Sequence, residues 1–288
     1  MVDDGRVLAD VVEYLVCPVC GESLALETSA LRCPAGHAFD IARQGYANLL
    51  LGNARPGTAD TPEMVRARDA FLGAGHFAPV SDLLSERLSE GLGEEREPVV
   101  LDAGAGTGYY LRDVLDRSPD AVGLALDISK HAARRAARAH PRIGAIVTDL
   151  WRPLPLRSDV ADAILNVFAP RNASEFHRVL KPEGTLYTVT PSERHLQSLV
   201  STLGLLSVDE QKTERTEAAL VGHFTLETCR VLDVDVTMSR SEAATLVGMG
   251  PSAHHIPAEE LGKRLAELPD PLPVPLSFVL SAYRRLQP

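Results

Sequence analysis

Long apolar runs and an export signal are both missing from this sequence. No apolar stretch reaches the roughly 18 residues that a membrane-spanning helix needs. The first 15 residues carry acids where a secretory signal has a basic start and a long apolar segment. Internal repeats and low-complexity segments are also absent, and the content of 45% hydrophobic and 24% charged residues is ordinary for a globular protein. We therefore expect a globular protein of the cytoplasm.

Cysteine and positive charge are both scarce. Only Cys229 stands apart from a group of three cysteines near the N-terminus, so a disulfide framework is not predicted. The 29 Lys and Arg residues against 39 Asp and Glu give a net charge of −10. This charge argues against broad non-specific affinity for nucleic acid, which comes from Lys and Arg neutralising phosphates. A local basic excess between residues 31 and 68 fits either a local RNA site or ordinary solvated arginines.

The three clustered cysteines are spaced as zinc ligands. Cys17-Pro-Val-Cys20 is followed, after twelve residues, by Cys33-Pro-Ala-Gly-His37. Two close pairs of Cys or His ligands on tight turns are typical of a closed, tetrahedral, structural zinc site. The first 40 residues have little apolar sequence of their own, and zinc binding could supply their folding energy. The alternative is that these four side chains lie near one another in the sequence by chance.

The order of the patterns divides the chain into three parts. Residues 1–52 form a zinc-binding module, residues 53–97 a linker followed by helices at 63–72 and 79–92, and residues 98–288 an α/β domain. Strand and helix patterns alternate in this domain, which predicts a parallel sheet with right-handed crossovers. The predicted strands are 99–102, 122–126, 143–148, 160–169, 185–190, 231–238 and 276–283, and the helices among them include 111–116, 129–139 and 173–180.

A glycine-rich turn follows the first strand of this domain. The residues are Asp102-Ala-Gly104-Ala-Gly106-Thr-Gly108, with an acid ahead of the glycines and tighter spacing than the Gly-x-Gly-x-x-Gly of dinucleotide sites. Glycines allow a sharp turn and a close approach of ligand to backbone. This difference from dinucleotide sites has a physical reason. S-adenosylmethionine lacks the pyrophosphate of a dinucleotide and carries instead an amino group and a sulfonium, which both suit a carboxylate.

Two further acids follow the next two strands. Asp127 lies 25 residues after Asp102, where a carboxylate can accept hydrogen bonds from both hydroxyls of a ribose. Asp149 ends the third strand, where an adenine ring would lie. Open α/β sheets bind ligands at this carboxyl edge, so the three acids together predict a cofactor site. For Asp127 alone, a helix N-cap ahead of Ser129 is the alternative.

Residues 98–191 resemble the class I S-adenosylmethionine-dependent methyltransferases. The resemblance rests on the glycine turn, the acids, Asn166-Val-Phe-Ala-Pro170 and Arg178-Val-Leu-Lys-Pro-Glu-Gly184. It implies a Rossmann-like, seven-stranded sheet. The Asn-Val-Phe-Ala-Pro loop differs from the Asn-Pro-Pro-Tyr loop of amino-methylating enzymes, so chemistry at an exocyclic amine is not indicated.

The whole chain resembles the guanine-N1 methyltransferases of 23S ribosomal RNA. The resemblance adds the zinc module and the segments Arg43-Gln-Gly-Tyr-Ala-Asn-Leu-Leu50, Asp60-Thr-Pro-Glu-Met-Val-Arg-Ala-Arg68 and Gly75-His-Phe77. Asn166–Asn172, Thr190-Pro191 with His195-Leu196, and Met249-Gly-Pro-Ser252 are most similar to the branch that confers tylosin-type macrolide resistance. The family implies methylation of a guanosine in hairpin 35, beside the peptide exit tunnel, with the zinc module helping to hold the RNA. It also implies a homodimer.

The resemblance implies roles for individual residues as well. Phe77, Tyr109, Leu150 and His195 join the glycines and the three acids around S-adenosylmethionine, and Asn166, His195 and His254 are the candidates for catalysis. Relatives commonly have Tyr in place of Phe77 and Trp in place of His254, so both cofactor contacts and the grip on the flipped base differ here.

The reaction requires guanine N1 to be exposed and to lose its proton as the methyl group arrives. A general base near N1 would help, and His76, His195, His254 and Asp149 are the candidates, although each histidine could equally be an ordinary surface or core residue. Two other functions stay open. One is a small-molecule methyltransferase that keeps the zinc module as scaffold. The other is an RNA-binding or regulatory protein that holds the cofactor without catalysis, which the intact acids and glycines argue against.

Overall fold

The chain folds around a small N-terminal sheet and a large mixed sheet. The computed structural model describes residues 6–52, 59–92, 97–205, 219–250 and 256–287. Within these ranges, every helix is too short or too polar to cross a membrane.

The helices follow the predicted pattern closely. The expected helices at 63–72 and 79–92 are confirmed at 62–73 and 78–91. Thr61 caps the first of them by accepting a hydrogen bond from the Met64 N–H, and Pro62 occupies its first turn, where the missing N–H costs nothing. In chain order the helices of the described ranges are α1 (Arg6–Val11), α2 (Pro62–Gly73), α3 (Ala78–Gly91), α4 (Tyr109–Arg117), α5 (Lys130–Ala136), α6 (Ala173–Val179), α7 (Gln197–Leu203), α8 (Arg240–Gly248) and α9 (Ala258–Ala266), with a 3-10 turn at Val12–Tyr14.

The strands divide into short N-terminal ones and longer ones, which are largely buried except for the edge strand Phe224–Met238. The predicted strands of the α/β domain are all present, and the last three are longer than expected. They are β1 (Ala25–Glu27), β2 (Ala30–Arg32), β3 (Ala38–Asp40), β4 (Tyr46–Asn48), β5 (Val99–Ala103), β6 (Val122–Asp127), β7 (Ile143–Val147), β8 (Ala161–Val167), β9 (Leu180–Pro191), β10 (Phe224–Met238) and β11 (Leu272–Arg285).

The large sheet has the strand order β10-β11-β9-β8-β5-β6-β7-β4, and β1-β2-β3 form the small antiparallel sheet. Neighbouring strands from β9 to β4 are parallel, whereas β11 is antiparallel to β9 and β10. Residues 98–288 supply the expected seven strands, and β4 adds an eighth from the N-terminal region. It covers the edge of β7 that would otherwise be open, and the Leu49 N–H continues the pairing by donating to Val147 O at 3.0 Å.

Apolar side chains cover both faces of the large sheet, because alternate residues of each strand point to opposite sides. One face packs against α2, α3 and α4 through residues such as Phe71, Leu84 and Leu111. The other packs against α1, α6 and the small sheet through Leu8, Phe176 and Leu31. The N-terminal region therefore shares a core with the sheet. Its boundary at residue 52 as a separate module stays a prediction.

Candidate functional site

The four predicted metal ligands come together in the structure. The ligand atoms of Cys17, Cys20, Cys33 and His37 all lie within 4.8 Å of one another. His37 Nδ1 is 3.6 Å from Cys17 Sγ and 3.3 Å from Cys33 Sγ, and the sulfurs of Cys20 and Cys33 are 3.7 Å apart. Ligand atoms about 2.3 Å (sulfur) and 2.0 Å (nitrogen) from a tetrahedral zinc are separated by about 3.5–3.8 Å. The cluster fits Zn²⁺, and four protein ligands make the site structural.

Two tight turns create this spacing. The Gly21 N–H donates to Cys17 O at 2.8 Å, and the Gly36 N–H donates to Cys33 O at 3.0 Å. Both glycines have positive φ, +77° and +87°, which other residues adopt at a cost. The turns bring each ligand pair to the same point, so the local sequence accounts for the metal site.

The glycine-rich turn lies between the end of β5 and the start of α4. Its three glycines have φ values of +90°, +54° and +77° for Gly104, Gly106 and Gly108. A Cβ on Gly104 would lie 2.3 Å from the Cβ of Ala169, and one on Gly108 would lie 3.0 Å from the backbone of Ala136. Conformation and close packing therefore both require glycine here.

Asp102 is buried beneath this turn with an unsatisfied carboxylate. It is 1% exposed, and its Oδ2 has no hydrogen-bond partner among the described residues. Burial, together with the charge of Asp127, raises the pKa of Asp102 to about 8. A buried acceptor without a donor is costly, and a cationic ligand would satisfy it. The site thus fits the ammonium of S-adenosylmethionine.

Asp127 binds the turn from the neighbouring strand. Its Oδ2 accepts a hydrogen bond from the Gly106 N–H and its Oδ1 one from the Ser129 N–H, both at 2.8 Å. Burial raises the pKa of Asp127 to about 6, although these two bonds oppose the rise. The side chain of Ser129 caps α5 through the Ala132 N–H. Asp127 therefore orders the turn and leaves helix capping to Ser129.

The predicted adenine side of the site lies after β7. Asp149 is partly exposed and accepts a hydrogen bond of 3.0 Å from the Trp151 N–H. Leu150 is buried, and its Cδ1 would be 3.7 Å from a Cβ on Gly104. Tyr109 begins α4, and its ring contacts Tyr110 with centroids 5.1 Å apart. Leu150 and Tyr109 thus lie beside the glycine-rich turn, and the contacts of all three residues with cofactor stay a prediction.

Phe77 and His195 meet in an aromatic cluster. Phe77 is 3% exposed and contacts Phe71 and Phe278, with ring centroids 5.2 and 5.0 Å away. The His195 ring is 4.7 Å from Phe278 and 6.1 Å from Phe77. Burial lowers the pKa of His195 to about 4, and Nδ1 accepts a hydrogen bond from the Ser277 N–H at 3.2 Å. His195 is therefore neutral at pH 7 with its proton on Nε2, which makes it a donor and a poor base.

Asn166 is engaged entirely by the protein. It is fully buried, and its amide nitrogen donates to Ala103 O at 3.0 Å and Pro170 O at 2.9 Å. Its amide oxygen accepts from Arg171 Nε at 3.2 Å. A catalytic role for Asn166 stays a prediction, and these bonds favour a role in positioning the loop after β8.

The other candidate bases lie in different settings. His76 Nε2 is 2.9 Å from Glu242 Oε1, and hydrogen bonds from Ser239, together with His76, lower the pKa of Glu242 to about 2. The Nε2–H of His76 thus donates a hydrogen bond to the ionised carboxylate of Glu242. His254 lies outside the described residues.

Sequence reasoning did not single out Arg68 or Phe168. Arg68 forms an ion pair with Asp60, donates to Met249 O at 2.9 Å, and lies about 3.5 Å from the Cβ position of Gly106. Phe168 is 44% exposed with φ of +54°, a backbone conformation that costs a non-glycine residue about 1–2 kcal/mol. Both residues belong to segments that carry the family resemblance, but only their positions beside the glycine turn distinguish them.

Two family models match the chain in succession. The model described as RlmA, N-terminal, a zinc ribbon, matches residues 15–54. The model described as Methyltransferase domain matches residues 100–184. They confirm the class I fold with an N-terminal zinc ribbon.

Three curated proteins differ in how much of the chain they match. A protein of Micromonospora griseorubida, named as a 23S rRNA (guanine-N(1)-)-methyltransferase, is 49% identical and covers 96% of this chain and 98% of its own length. The 23S rRNA (guanine(748)-N(1))-methyltransferase of Streptomyces fradiae is 45% identical and covers 96% of this chain and 99% of its own. The malonyl-[acyl-carrier protein] O-methyltransferase of Dechloromonas aromatica (strain RCB) is 31% identical over only 46% of this chain and 53% of its own.

Proposed function

The chain belongs to the family of 23S rRNA (guanine-N1)-methyltransferases, and we propose that its target is a guanosine in hairpin 35 of 23S rRNA. This guanosine would be the equivalent of guanine 748 in the name of the Streptomyces fradiae enzyme. Its methylation beside the peptide exit tunnel would protect the ribosome from macrolides of the tylosin type.

The extent of the similarity carries this proposal. Similarity to the two RNA enzymes covers 96% of the chain, zinc ribbon included, whereas similarity to the O-methyltransferase covers 46%. For a small-molecule methyltransferase that kept the ribbon only as scaffold, we would not expect similarity to RNA methyltransferases along 96% of the chain. The RNA substrate is therefore favoured over the small-molecule alternative.

Residues at the carboxyl edge of the large sheet hold the cofactor. S-adenosylmethionine, when bound, supplies the methyl group. The buried carboxylate of Asp102 suits its ammonium, and the positive-φ glycines let it approach the backbone. Asp127, which already accepts two backbone hydrogen bonds, retains lone pairs for the ribose hydroxyls.

Guanine N1 is on the base-pairing edge, so the base must leave its helix before it can react. N1 gains the methyl group and gives up its proton, and alignment of donor and acceptor supplies much of the catalysis. His195, with its proton on Nε2, can donate a hydrogen bond to the base or to the cofactor. His195 thus orients a reactant and leaves removal of the N1 proton to another group.

The zinc ribbon helps to hold the RNA in this proposal. Arg43 is exposed next to β4, and Trp151, the one tryptophan of the sequence, is 67% exposed after β7. Trp151 follows β7 at the carboxyl edge of the sheet, and Arg43 precedes β4, the strand that pairs with β7. The indole offers base stacking to RNA that enters the site, and the arginine of the ribbon offers a separate phosphate contact.

Primer extension on 23S rRNA tests the target. Ribosomal RNA is taken from cells that lack such an enzyme, with and without this protein, and with its Asp102→Asn variant as a control whose cofactor binding is weakened. We expect a polymerase stop at one guanosine of hairpin 35 with the unaltered protein, a weaker stop with the variant and none without the protein, because methylated N1 cannot pair. No stop would refute the proposal, and cofactor turnover without RNA would support the small-molecule alternative.

We also propose a cytoplasmic homodimer, since the substrate is ribosomal and the family resemblance implies a dimer. Light scattering after gel filtration measures the mass in solution. A growth assay with tylosin, with and without the protein, measures resistance.

A further inference from the structure

An aromatic side chain is held partly exposed beside the glycine-rich turn. Phe168 directly follows β8, has 44% of its surface exposed and adopts φ of +54°. A phenylalanine gains nothing locally from a left-handed backbone or from contact with water. Outliers of this kind persist where the surrounding structure enforces them, and they cluster at functional sites.

The neighbouring residues fix this backbone in place. The Phe168 N–H donates to Val189 O at 3.0 Å, which ties the residue to β9. Asn166, two residues earlier, is bonded to Ala103 O and Pro170 O and so closes the loop from the other side. Ala169 packs against the place where a Cβ on Gly104 would be. The loop is thus locked to the same turn that holds the cofactor.

One side of the Phe168 ring packs against two buried aromatic side chains. Its centroid is 6.1 Å from that of Phe77 and 5.8 Å from that of Phe278, and these two side chains are 3% and 1% exposed. Phe168 is therefore the outermost ring of a buried cluster. Its exposed surface is ready to meet a second planar group without rearrangement.

The strand order indicates whether the planar group that stacks on Phe168 belongs to the cofactor or to the methyl acceptor. Asp127 ends β6 and Asp149 follows β7, so the adenosine part of the cofactor extends to that side of β5. Phe168 follows β8, which lies on the opposite side of β5. The ring thus borders the turn on the acceptor side.

We propose that Phe168 is the platform on which the extruded guanine stacks when its N1 faces the methyl donor. Stacking requires only the flat face of a base. The hydrogen bonds of Asn166 and of the Phe168 N–H to Val189 O hold the backbone that carries the Phe168 ring. This inference rests on the proposed function, because it requires an RNA base as the acceptor.

Steady-state kinetics on a hairpin RNA test the platform. We expect Phe168→Ala and Phe168→Leu to lower kcat/KM for RNA by about tenfold to a hundredfold, as for the loss of one base stack, with cofactor Kd within about twofold of the unaltered enzyme. Phe168→Tyr and Phe168→Trp should keep most activity. Leu226→Ala, which removes another exposed apolar side chain from β10, should leave kcat/KM unchanged.

A fluorescent base provides a second readout. With 2-aminopurine in place of the target guanosine, its emission in the complex with S-adenosylhomocysteine should be quenched by the unaltered enzyme and brighter with Phe168→Leu. Full activity of Phe168→Leu, or equal emission in both complexes, would overturn the platform. A loss of cofactor affinity that matches the loss of activity would also overturn it, by making Phe168 part of the cofactor pocket. If the unaltered enzyme leaves RNA unmethylated, the proposed function fails instead.

Discussion

The Gly106 N–H donates a hydrogen bond of 2.8 Å to the carboxylate of Asp127, which ties the end of β6 to the turn after β5. Asp127 thereby has partners, whereas Asp102 beneath the same turn has an oxygen with none. The two acids differ in pKa for this reason, about 6 for Asp127 and about 8 for Asp102. The carboxyl group of Asp127 orders the turn, and that of Asp102 suits a cationic ligand.

Cofactor binding should release a proton at neutral pH. Free Asp102, with a pKa near 8, is mostly protonated at pH 7, while the cofactor ammonium favours its carboxylate. Affinity for S-adenosylmethionine should therefore rise between pH 6 and 7.5, by at most about tenfold for each pH unit and released proton. Calorimetry in buffers of different ionisation enthalpy counts the protons. Asp102→Asn should bind more weakly and lose most of this slope, and an unchanged slope would show that Asp102 is not the group.

The same variant should stabilise the cofactor-free protein at alkaline pH. The folded-state pKa of Asp102 is raised above the unfolded value of about 3.9, so the folded protein retains a proton that the unfolded chain has lost. The free energy of unfolding contributed by this group therefore falls as pH rises from about 4 to 8. Asp102→Asn removes that fall, and urea unfolding should show a gain at pH 8 that disappears near pH 4. An equal effect at both pH values would contradict the raised pKa.

Arg68 should matter for the cofactor although it is distant from the acids in sequence. Arg68, on α2, forms an ion pair with Asp60, donates a hydrogen bond to Met249 O and lies against Gly106. It therefore holds α2 next to the glycine-rich turn. We expect Arg68→Ala to weaken cofactor binding by about tenfold, equivalent to about 1.4 kcal/mol. Arg66→Ala, on the same helix but in an exposed pair with Glu63, is the matched control and should bind normally. Equal behaviour of the two variants would remove Arg68 from the site.

Loss of zinc should impair RNA methylation more than cofactor binding. Cys20→Ser removes one of four ligands, and zinc ribbons commonly take folding free energy from their metal. We expect zinc content to fall and RNA methylation to be lost. Cofactor Kd should stay within a few-fold, because the glycine turn lies on β5, which is separated from β4 by β6 and β7. Cys229→Ser, which changes an exposed cysteine outside the cluster, serves as control.

Cofactor affinity in this experiment also decides whether residues 1–52 form a separate module. If it collapses with methylation in Cys20→Ser, the ribbon and the sheet form one folding unit. The pairing of Tyr46–Asn48 with β7 would be the structural cause.

The elements that the sequence predicted well are those whose signals are local. Strands and helices of the α/β domain, the helix expected at 63–72 and the metal ligands follow from periodicity, turn residues and ligand spacing within short segments. The eighth strand was missed because Tyr46–Asn48 is three residues long and joins a partner about 100 residues away. Three residues have no periodicity to detect, and the open edge of β7 exists only in the folded sheet.

The candidate site divides in the same way. The sequence by itself determined the zinc ligands, the glycine turn and the three acids, because each is an arrangement of residue types over a short span or at successive strand ends. Tertiary structure alone decided that Asp102 lacks a partner, that Asn166 is fully bonded, that His195 is neutral, and that Phe168 faces solvent from a strained backbone. These properties depend on burial and on hydrogen-bond partners from distant parts of the chain, and only packing brings those parts together.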